Sequence, residues 1–402
     1  MNEGARMRYK YRRHPSKLAT LMVTFGAGSR VEYNTEYPKG IAHYMEHVRF
    51  KGTETKTAKD LLRQTADAGG SWNAWTSDDL VSYHMSIPEE NLETAFECLS
   101  DIVLNSVFPQ DELTKEQEVV CQEIRMNNDE IDTLVHYKLM GLAFNNSMAV
   151  PIVGTEKSVR SITRDHLFKF NKEFYSKEHM LITLGACSDH DYLVEKYFGI
   201  PDDILAFPPP IKNTKYKNGN RAVVKKEGQL QNSISICFGN PNLRKLAETN
   251  RAKIKMFSAI FGQSDTSRLW MKVREDLGMV YGISSYINHN MDGTLYEIYT
   301  STEPENSDEV IDAIHEEINI MLKTVPSENE LNRSKNIARS SLYRSLDSSV
   351  GMTSQMILEE FFGHKTGAEF LAEIDMVTVD DVHEITQKIF EGTKYMVIGT
   401  GS

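Results

Sequence analysis

The chain lacks several features that mark whole classes of protein. Its 402 residues include only four cysteines, and no two of these form a CxxC pair, so the sequence predicts neither a disulfide framework nor a thiolate zinc site. An excess of basic residues is also missing, since the formal net charge is -12 at pH 7. This argues against nucleic acid as a partner, because phosphate backbones are bound mainly by clustered lysine and arginine.

Long apolar runs are absent too. No run approaches the roughly 18 residues that a membrane-spanning helix needs, and the first residues lack the apolar core of a signal peptide. The basic stretch from Arg6 to Lys17 runs directly into the apolar, strand-like segment from Leu18 to Phe25, so we interpret it as part of the fold. These absences predict a cytoplasmic protein with reduced thiols and no membrane partner.

An internal repeat is the first feature that the sequence does contain. The strand-like segment from Leu80 to Ile87 is followed by Pro88-Glu89-Glu90-Asn91 and a helical pattern. A little more than 200 residues later, the segment from Leu295 to Ser301 is followed by Glu303-Pro304-Glu305-Asn306 and a helical pattern. Strand-like segments occur as neighbours rather than in strict alternation with helices. This favours an α+β fold with largely antiparallel sheets flanked by helices.

The length of the chain predicts about two domains. A polar, proline-rich stretch without periodicity, residues 206–221, has the composition of a linker. We therefore predict a first domain of residues 1–205 and a homologous second domain of residues 222–402.

His43, Glu46 and His47 form an HxxEH pattern, the inverse of the HExxH zinc-peptidase motif. On a helix the two histidines lie one turn apart on the same face, so both imidazoles can bind one ion. Glu46 lies beside them, close enough to act on a water molecule at that ion without binding the ion itself. A catalytic zinc site typically has three protein ligands. The motif supplies two, so a third must come from elsewhere in the chain.

A second helical pattern contains Glu116, Glu118, Glu123 and Glu130, and two of these, Glu116 and Glu123, are the candidates for the third ligand. Glu116 and Glu123 are two turns apart and fall nearly on one line along the helix, so one can bind metal while the other supports the site from behind. Spacing alone does not choose between them. Histidines on a helix and a glutamate-rich helix face are, taken singly, also common in proteins without a metal site.

Five motifs, in this order, resemble the pitrilysin-type zinc peptidases, and within them the small bacterial and mitochondrial-processing-peptidase-like branch. They are Gly26-Ala27-Gly28-Ser29-Arg30, His43-Tyr44-Met45-Glu46-His47, Phe50-Lys51-Gly52-Thr53, Asn73-Ala74-Trp75-Thr76, and Glu116 with Glu123. One position departs from the family: Arg49 stands where an apolar residue is usual. Either the packing behind the motif helix differs there, or Arg49 points into a cavity.

The resemblance implies a role for each motif. It implies that Glu123 is the third ligand of one zinc ion per chain and that Glu116 supports the site. It also implies two homologous domains that close like a clam shell around a peptide or an unfolded polypeptide. Asn73 and Ala74 match the strand edge along which such a substrate lies, held by main-chain hydrogen bonds as in β-strand addition.

The second half matches the family in a different way. Arg274 and Tyr281 match a pair that, in the family, reaches the substrate near the zinc. Residues 250–262, which correspond to the motif helix, contain no histidine, and Ser341 stands opposite Glu123 in the repeat. Only the first half is therefore expected to bind metal, while the second is expected to hold substrate.

The predicted function is that of a zinc metalloendopeptidase. Glu46 is expected to take a proton from the activated water and later deliver it to the leaving amine, and Tyr281 with Arg274 to stabilise the carbonyl oxygen. The alternative is a catalytically silent partner or scaffold subunit, because the family also contains such members. They typically lack part of HxxEH, which is complete here. Chains of this length in the family often pair, so a homodimer is also expected.

Overall fold

The computed structural model describes residues 8–201, 204–207, 216–219 and 221–401. Within it the chain forms two compact units, each built from separate stretches of sequence. The first unit comprises Met1–Arg125, Pro151–Pro210 and Arg344–His364, and the second comprises Met126–Val150, Ile211–Tyr343 and Lys365–Ser402. Most of the predicted linker, residues 206–221, lies outside the described residues.

Ten strands and fifteen α-helices occur in the described part of the chain. The strands are β1 (Arg8–Arg13), β2 (Leu18–Phe25), β3 (Ser71–Thr76), β4 (Val81–Pro88), β5 (Met180–Ala186), β6 (Arg221–Lys225), β7 (Asn232–Gly239), β8 (Val280–Asn290), β9 (Gly293–Thr302) and β10 (Thr393–Thr400). The helices are α1 (Ile41–Val48), α2 (Ala58–Asp67), α3 (Leu92–Leu104), α4 (Gln110–Asp129), α5 (Ile131–Ala143), α6 (Glu156–Arg160), α7 (Arg164–Phe174), α8 (Asp191–Phe198), α9 (Pro241–Thr249), α10 (Arg251–Phe261), α11 (Ser307–Lys323), α12 (Glu328–Leu346), α13 (Ser349–Phe362), α14 (Gly367–Met376) and α15 (Val379–Phe390). None of the described helices combines the length and the apolar character that a membrane span requires.

Both units contain a five-stranded sheet of the same topology. The strand orders are β1-β5-β2-β4-β3 and β6-β10-β7-β9-β8. In each sheet the first pair is parallel and the other three pairs are antiparallel. The predicted α+β fold, with two homologous domains and largely antiparallel sheets, is thus confirmed.

Successive side chains along each strand point to opposite faces of the first sheet. Leu21, Val23 and Phe25 of β2 lie on one face and join Tyr83 and Met85 of β4 in the main core of the unit. Helix α3 packs on β2 and β4, while α1 contacts β3. The apolar face therefore fixes α1 beside the edge strand β3, which is the arrangement on which the site depends.

A helix from the opposite half of the chain covers the other face of each sheet. Helix α13 packs on β5 and β2, and α5 packs on β10, β7 and β6. Thr20 of β2 hydrogen-bonds Ser349 of α13 (2.7 Å), and Ser233 of β7 donates to Asp132 of α5 (2.9 Å). The compact units thus differ from the contiguous domains 1–205 and 222–402 by one exchanged helix each. A cut after residue 205 would separate α13 from the sheet that it covers.

Arg49, the departure from the family pattern, lies fully buried directly after α1. Its guanidinium donates to the carbonyl oxygens of Ile102 (3.3 Å) and Val103 (2.8 Å) in the last turn of α3, and to the side-chain oxygen of Asn171. It also lies 4.3 Å from the ring centroid of Tyr175. The last carbonyl groups of a helix lack partners within the helix, and a cation there also interacts favourably with the helix dipole. Arg49 therefore caps α3 within the core and does not line a cavity.

An Arg49→Met variant should lose roughly 1–3 kcal/mol of unfolding free energy, because the carbonyl groups at the end of α3 lose a buried donor. Denaturant titration followed by circular dichroism measures this difference. Arg63 is exposed on α2, and Arg63→Met is the matched control, expected to stay within about 0.5 kcal/mol of the parent. An Arg49→Met variant as stable as its parent would show that the cap contributes nothing.

Candidate active site

Helix α1 presents His43 and His47 on one face, with ring centroids 4.7 Å apart. His43 is buried, with 8% of its surface exposed, and His47 is half-buried. The helix begins after Gly40, whose φ is 89°. A Cβ at Gly40 would lie 2.7 Å from the carbonyl oxygen of Val153, so only glycine fits there without strain. The start of α1, and with it the direction of both imidazoles, is fixed by this close approach.

Glu123 of α4 completes a three-residue group with these histidines. Its Oε1 lies 3.6 Å from Nε2 of His43, and its Oε2 lies 3.6 Å from Nε2 of His47. One donor atom from each residue falls within 4.8 Å of the other two, and no other such group of His, Cys, Asp or Glu occurs among the described residues. Two imidazoles and a carboxylate are the ligand types of catalytic zinc sites. The spacing of these donor atoms fits one ion between them.

Glu116, the other candidate on α4, lies on the opposite side of His47. Its Oε1 is 3.0 Å from Nδ1 of His47, and its Oε2 accepts from Nζ of Lys51 at 2.7 Å. A carboxylate at Nδ1 fixes the proton on that nitrogen and leaves the Nε2 lone pair facing Glu123. Glu116 and Glu123, which spacing alone did not distinguish, therefore face different nitrogens of His47: Glu116 faces Nδ1 and Glu123 faces Nε2.

Burial and neighbouring charges shift the pKa values of the titratable groups in this cluster. Burial, together with the neighbouring His47, lowers the pKa of His43 to about 3, so its imidazole is neutral at pH 7, as a metal ligand must be. Burial acts to lower the pKa of His47, but the hydrogen bond to Glu116 and the surrounding carboxylates outweigh it and raise that pKa. For Glu116, burial acts to raise the pKa, and the hydrogen bonds from His47 and Lys51 outweigh it and lower that pKa.

Glu46 belongs to the same cluster, since the charges of His47 and Glu123 act on its carboxyl group, and it also reaches the end of β3. The hydroxyl of Thr76 donates to its Oε2 at 2.5 Å. Burial raises the pKa of Glu46, although the Thr76 hydrogen bond acts in the opposite direction. A carboxyl group with a raised pKa beside a metal site suits proton transfer. Sequence reasoning did not single out Thr76 or Lys51, although both lie within motifs quoted for the resemblance.

Asn73 and Ala74 lie on β3, which is an edge strand of its sheet. Asn73 is exposed and pairs with His84 of β4, and Ala74 pairs with Tyr83. The other side of β3 has no strand neighbour among the described residues. An edge strand presents unpaired N–H and C=O groups to which an extended peptide can add.

Arg274 and Tyr281 meet within the second unit. The guanidinium of Arg274 lies 5.2 Å from the ring centroid of Tyr281 and 5.3 Å from that of Trp270. Its Nη1 donates to the carbonyl oxygen of Val280 at 3.2 Å. Tyr281 is 88% exposed, so its hydroxyl is open to solvent. The two residues thus contact each other, with the cation over an exposed phenol ring, while their predicted role at the substrate stays a prediction.

Comparison with known sequences identifies the family. A model of the insulinase family (peptidase family M16) matches residues 10–156, and a model described as the peptidase M16 inactive domain matches residues 161–338. An uncharacterized zinc protease of Rickettsia felis is 31% identical over 384 residues, covering 92% of this chain and 90% of that protein. The chain belongs to peptidase family M16. An uncharacterized zinc protease of Bacillus subtilis, 29% identical over 376 residues (92% and 89% covered), is a further M16 relative.

Solved structures share the M16 fold. A protease from Helicobacter pylori superposes with a TM-score of 0.89 at 17% identity, covering 98% of this chain and 97% of that one. A peptidase M16 inactive domain from Pseudomonas fluorescens superposes with a TM-score of 0.86 at 18% identity, covering 98% and 95%. In the present chain the first family match contains the His43, His47 and Glu123 group. The match to the inactive domain covers most of the repeat in which no metal site is predicted.

Glu32 anchors the start of the M16 motif helix. Its side chain is 1% exposed and accepts from the backbone N–H groups of Gly40 (2.8 Å) and Ala42 (2.7 Å). A carboxylate at a helix N-terminus satisfies donors that have no partner within the helix and complements the helix dipole. Burial raises the pKa of Glu32 to about 7, although the hydrogen bonds from Ala42 and Gly40 and the charge of Lys39 act to lower it.

This raised pKa gives a signed prediction for stability. The folded state holds the proton more tightly than the unfolded chain, so the contribution of Glu32 is full below about pH 4.5 and is lost as pH rises through about 7. Glu32→Gln cannot ionise. Between pH 4.5 and 8 the parent should therefore lose up to roughly 3 kcal/mol of unfolding free energy relative to this variant.

Denaturant titrations of both proteins across this pH range measure the difference. Glu36, exposed and four residues away, provides the control variant Glu36→Gln, which should follow the pH dependence of the parent. If Glu32→Gln has the same pH dependence as the parent, Glu32 does not titrate in this way.

Proposed function

We propose that the chain is a zinc-dependent endopeptidase that hydrolyses peptides or unfolded segments of polypeptide. The observation that carries the proposal is the convergence of donor atoms from His43, His47 and Glu123 beside the carboxylate of Glu46. Membership of an M16 family whose relatives are named zinc proteases supports the metal and the reaction class. The catalytically silent alternative is not favoured, because each residue of the HxxEH motif is present, together with Glu123 and Glu116.

Each residue of the site has its own proposed role. A bound zinc ion acts as a Lewis acid and makes a water molecule more acidic. Glu46 accepts the proton from the attacking water and returns it to the leaving amine. Glu116, itself paired with Lys51, holds the Nδ1 proton of His47. This keeps the other nitrogen of His47 available as a ligand.

The proposed substrate binds in an extended conformation. Strand addition at the edge of β3, around Asn73 and Ala74, recognises the main chain and places little demand on sequence. Arg274 and Tyr281 are proposed to contribute a hydrogen bond to the carbonyl oxygen as it gains negative charge. The pairing of chains as a homodimer stays a prediction of the resemblance, and light scattering of the purified protein measures it.

The first prediction separates metal binding from proton transfer. His43→Ala, His47→Ala and Glu123→Ala should each lose most of the metal, because one of three ligands is removed. Glu46→Gln should keep about one zinc per chain but lose at least roughly a hundredfold in turnover, the lower range for a general base. Metal analysis and mass-spectrometric mapping of cuts in a mixed peptide library measure the two effects.

The exposed Glu130, between α4 and α5, provides the matched control. Glu130→Gln should keep both zinc and activity. Loss of zinc from Glu46→Gln would reassign Glu46 as a ligand. An active parent preparation that contains no zinc, or that a chelator does not inhibit, would overturn the proposal.

The second prediction concerns the pair in the second unit, measured in the full chain. Tyr281→Phe should lower kcat by roughly a hundredfold with unchanged zinc content, since it removes one hydrogen bond to the developing oxyanion. Arg274→Ala should chiefly raise KM if its contact is the same in ground and transition states. Tyr343 is exposed on α12, and Tyr343→Phe is the control. Normal kinetics in Tyr281→Phe would exclude a chemical role for this hydroxyl.

A further inference from the structure

We propose that Thr76 is a positioning residue for the general base Glu46, an inference that rests on the peptidase function proposed above. The hydroxyl of Thr76 donates to Oε2 of Glu46 at 2.5 Å, across thirty positions of sequence. Among the described residues, Oε1 of Glu46 has no hydrogen-bond partner. The bond therefore holds one oxygen of the carboxylate and leaves the other to face water and substrate.

Thr76 is held firmly by the backbone around it. It ends β3, where it pairs with Val81 of β4. The turn that follows is closed by the N–H of Ser77, which donates to the carbonyl oxygen of Leu80 at 2.8 Å. A side chain at the end of a paired strand, next to a closed turn, has little freedom to move away from its partner.

A second segment, residues 28–30, packs against this turn and holds it by backbone hydrogen bonds and an ion pair. The N–H groups of Ser29 and Arg30 donate to the carbonyl oxygens of residues 77 (3.1 Å) and 78 (2.9 Å). Arg30 also forms a buried ion pair with Asp79 at 3.2 Å. A Cβ at Gly28 would lie 2.4 Å from the carbonyl oxygen of residue 78, so the two segments approach as closely as backbone allows.

The same segment also holds the helix that carries Glu46. Two residues beyond Arg30, the carboxylate of Glu32 accepts from the N–H groups of Gly40 and Ala42 at the start of α1. Segment 28–32 thus joins the turn after Thr76 to the first turn of the motif helix. The distance between Thr76 and Glu46 is set at both ends by buried hydrogen bonds, which is the arrangement expected of a preorganised catalytic group.

Thr76→Val and Thr76→Ser test the role of the hydroxyl in the full, zinc-loaded chain. Valine has nearly the same shape and lacks the donor, so kcat should fall at least about tenfold, because hydrogen bonds to charged groups are among the stronger ones. KM and zinc content should not change. Serine restores the donor and should recover most of the rate. The assay uses a peptide that the parent cleaves in a mixed library.

Thr24→Val is the matched control. Thr24 lies on β2 of the same sheet, and its hydroxyl shares a buried hydrogen bond with Ser82 at 2.9 Å. This variant removes a comparable hydroxyl without touching Glu46, so its kcat should match that of the parent. A similar fall in kcat for both valine variants would mean a general effect on the sheet and would overturn the proposal.

Two further measurements exclude a merely structural role. In a Glu46→Gln background, Thr76→Val should cause no further loss of rate, because its effect acts through the carboxylate. A full additional loss, or a loss expressed in KM, would overturn the proposal and would favour a part in binding peptide along β3.

Crystal structures of the parent and of Thr76→Val make the test independent of activity. The carboxylate of Glu46 should occupy one conformer in the parent and several in the variant. The same single conformer in both would reject the positioning role, even if the parent cleaves peptides normally. A parent that cleaves nothing, yet shows the conformer change, would instead reject the peptidase proposal alone.

Discussion

Negative charge held close to two imidazoles is the constraint on which the rest of the structure depends. Glu116 and Glu123 pair with His43 or His47, the charge of Glu46 also acts on His47, and Lys51 is the one lysine or arginine among the described residues that pairs with any of these three glutamates. Three partly buried carboxylates near one another are costly unless cations neutralise them. A divalent ion at the ligand atoms supplies that charge, which is why the donor set and its electrostatics support the same proposal.

The fold meets this constraint with elements drawn from distant parts of the sequence. Helix α1 carries the histidines and Glu46, α4 carries Glu116 and Glu123, and Thr76 at the end of β3 reaches Glu46. Segment 28–32 ties α1 to the turn after β3 through buried hydrogen bonds, and Arg49 ties the end of α1 to α3. The candidate site is therefore assembled by tertiary contacts around one helix, and the second sheet repeats the same strand topology, with no second group of this kind in the described part of the chain.

Sequence reasoning recovered the parts of this account that depend on local periodicity. The spacing of His43 and His47 on a helix, the strand patterns and the internal repeat predicted two homologous α+β domains with one candidate site. Periodicity could not separate Glu116 from Glu123, because both lie on the same helix face and only the tertiary contact with each nitrogen of His47 distinguishes them. The exchange of α5 and α13 was also missed, since a repeat gives the order of elements and not the sheet that each helix covers. Thr76, Glu32 and the cap made by Arg49 required the structure for the same reason.

The most direct test of the central claim is a crystal structure of the protein grown with zinc, with anomalous scattering recorded on both sides of the zinc absorption edge. The account predicts one anomalous peak per chain, roughly 2.0–2.2 Å from Nε2 of His43, Nε2 of His47 and a carboxylate oxygen of Glu123. Glu116 should remain on Nδ1 of His47, outside the coordination sphere. A peak coordinated by Glu116 in place of Glu123, or no peak at this group of residues, would contradict it.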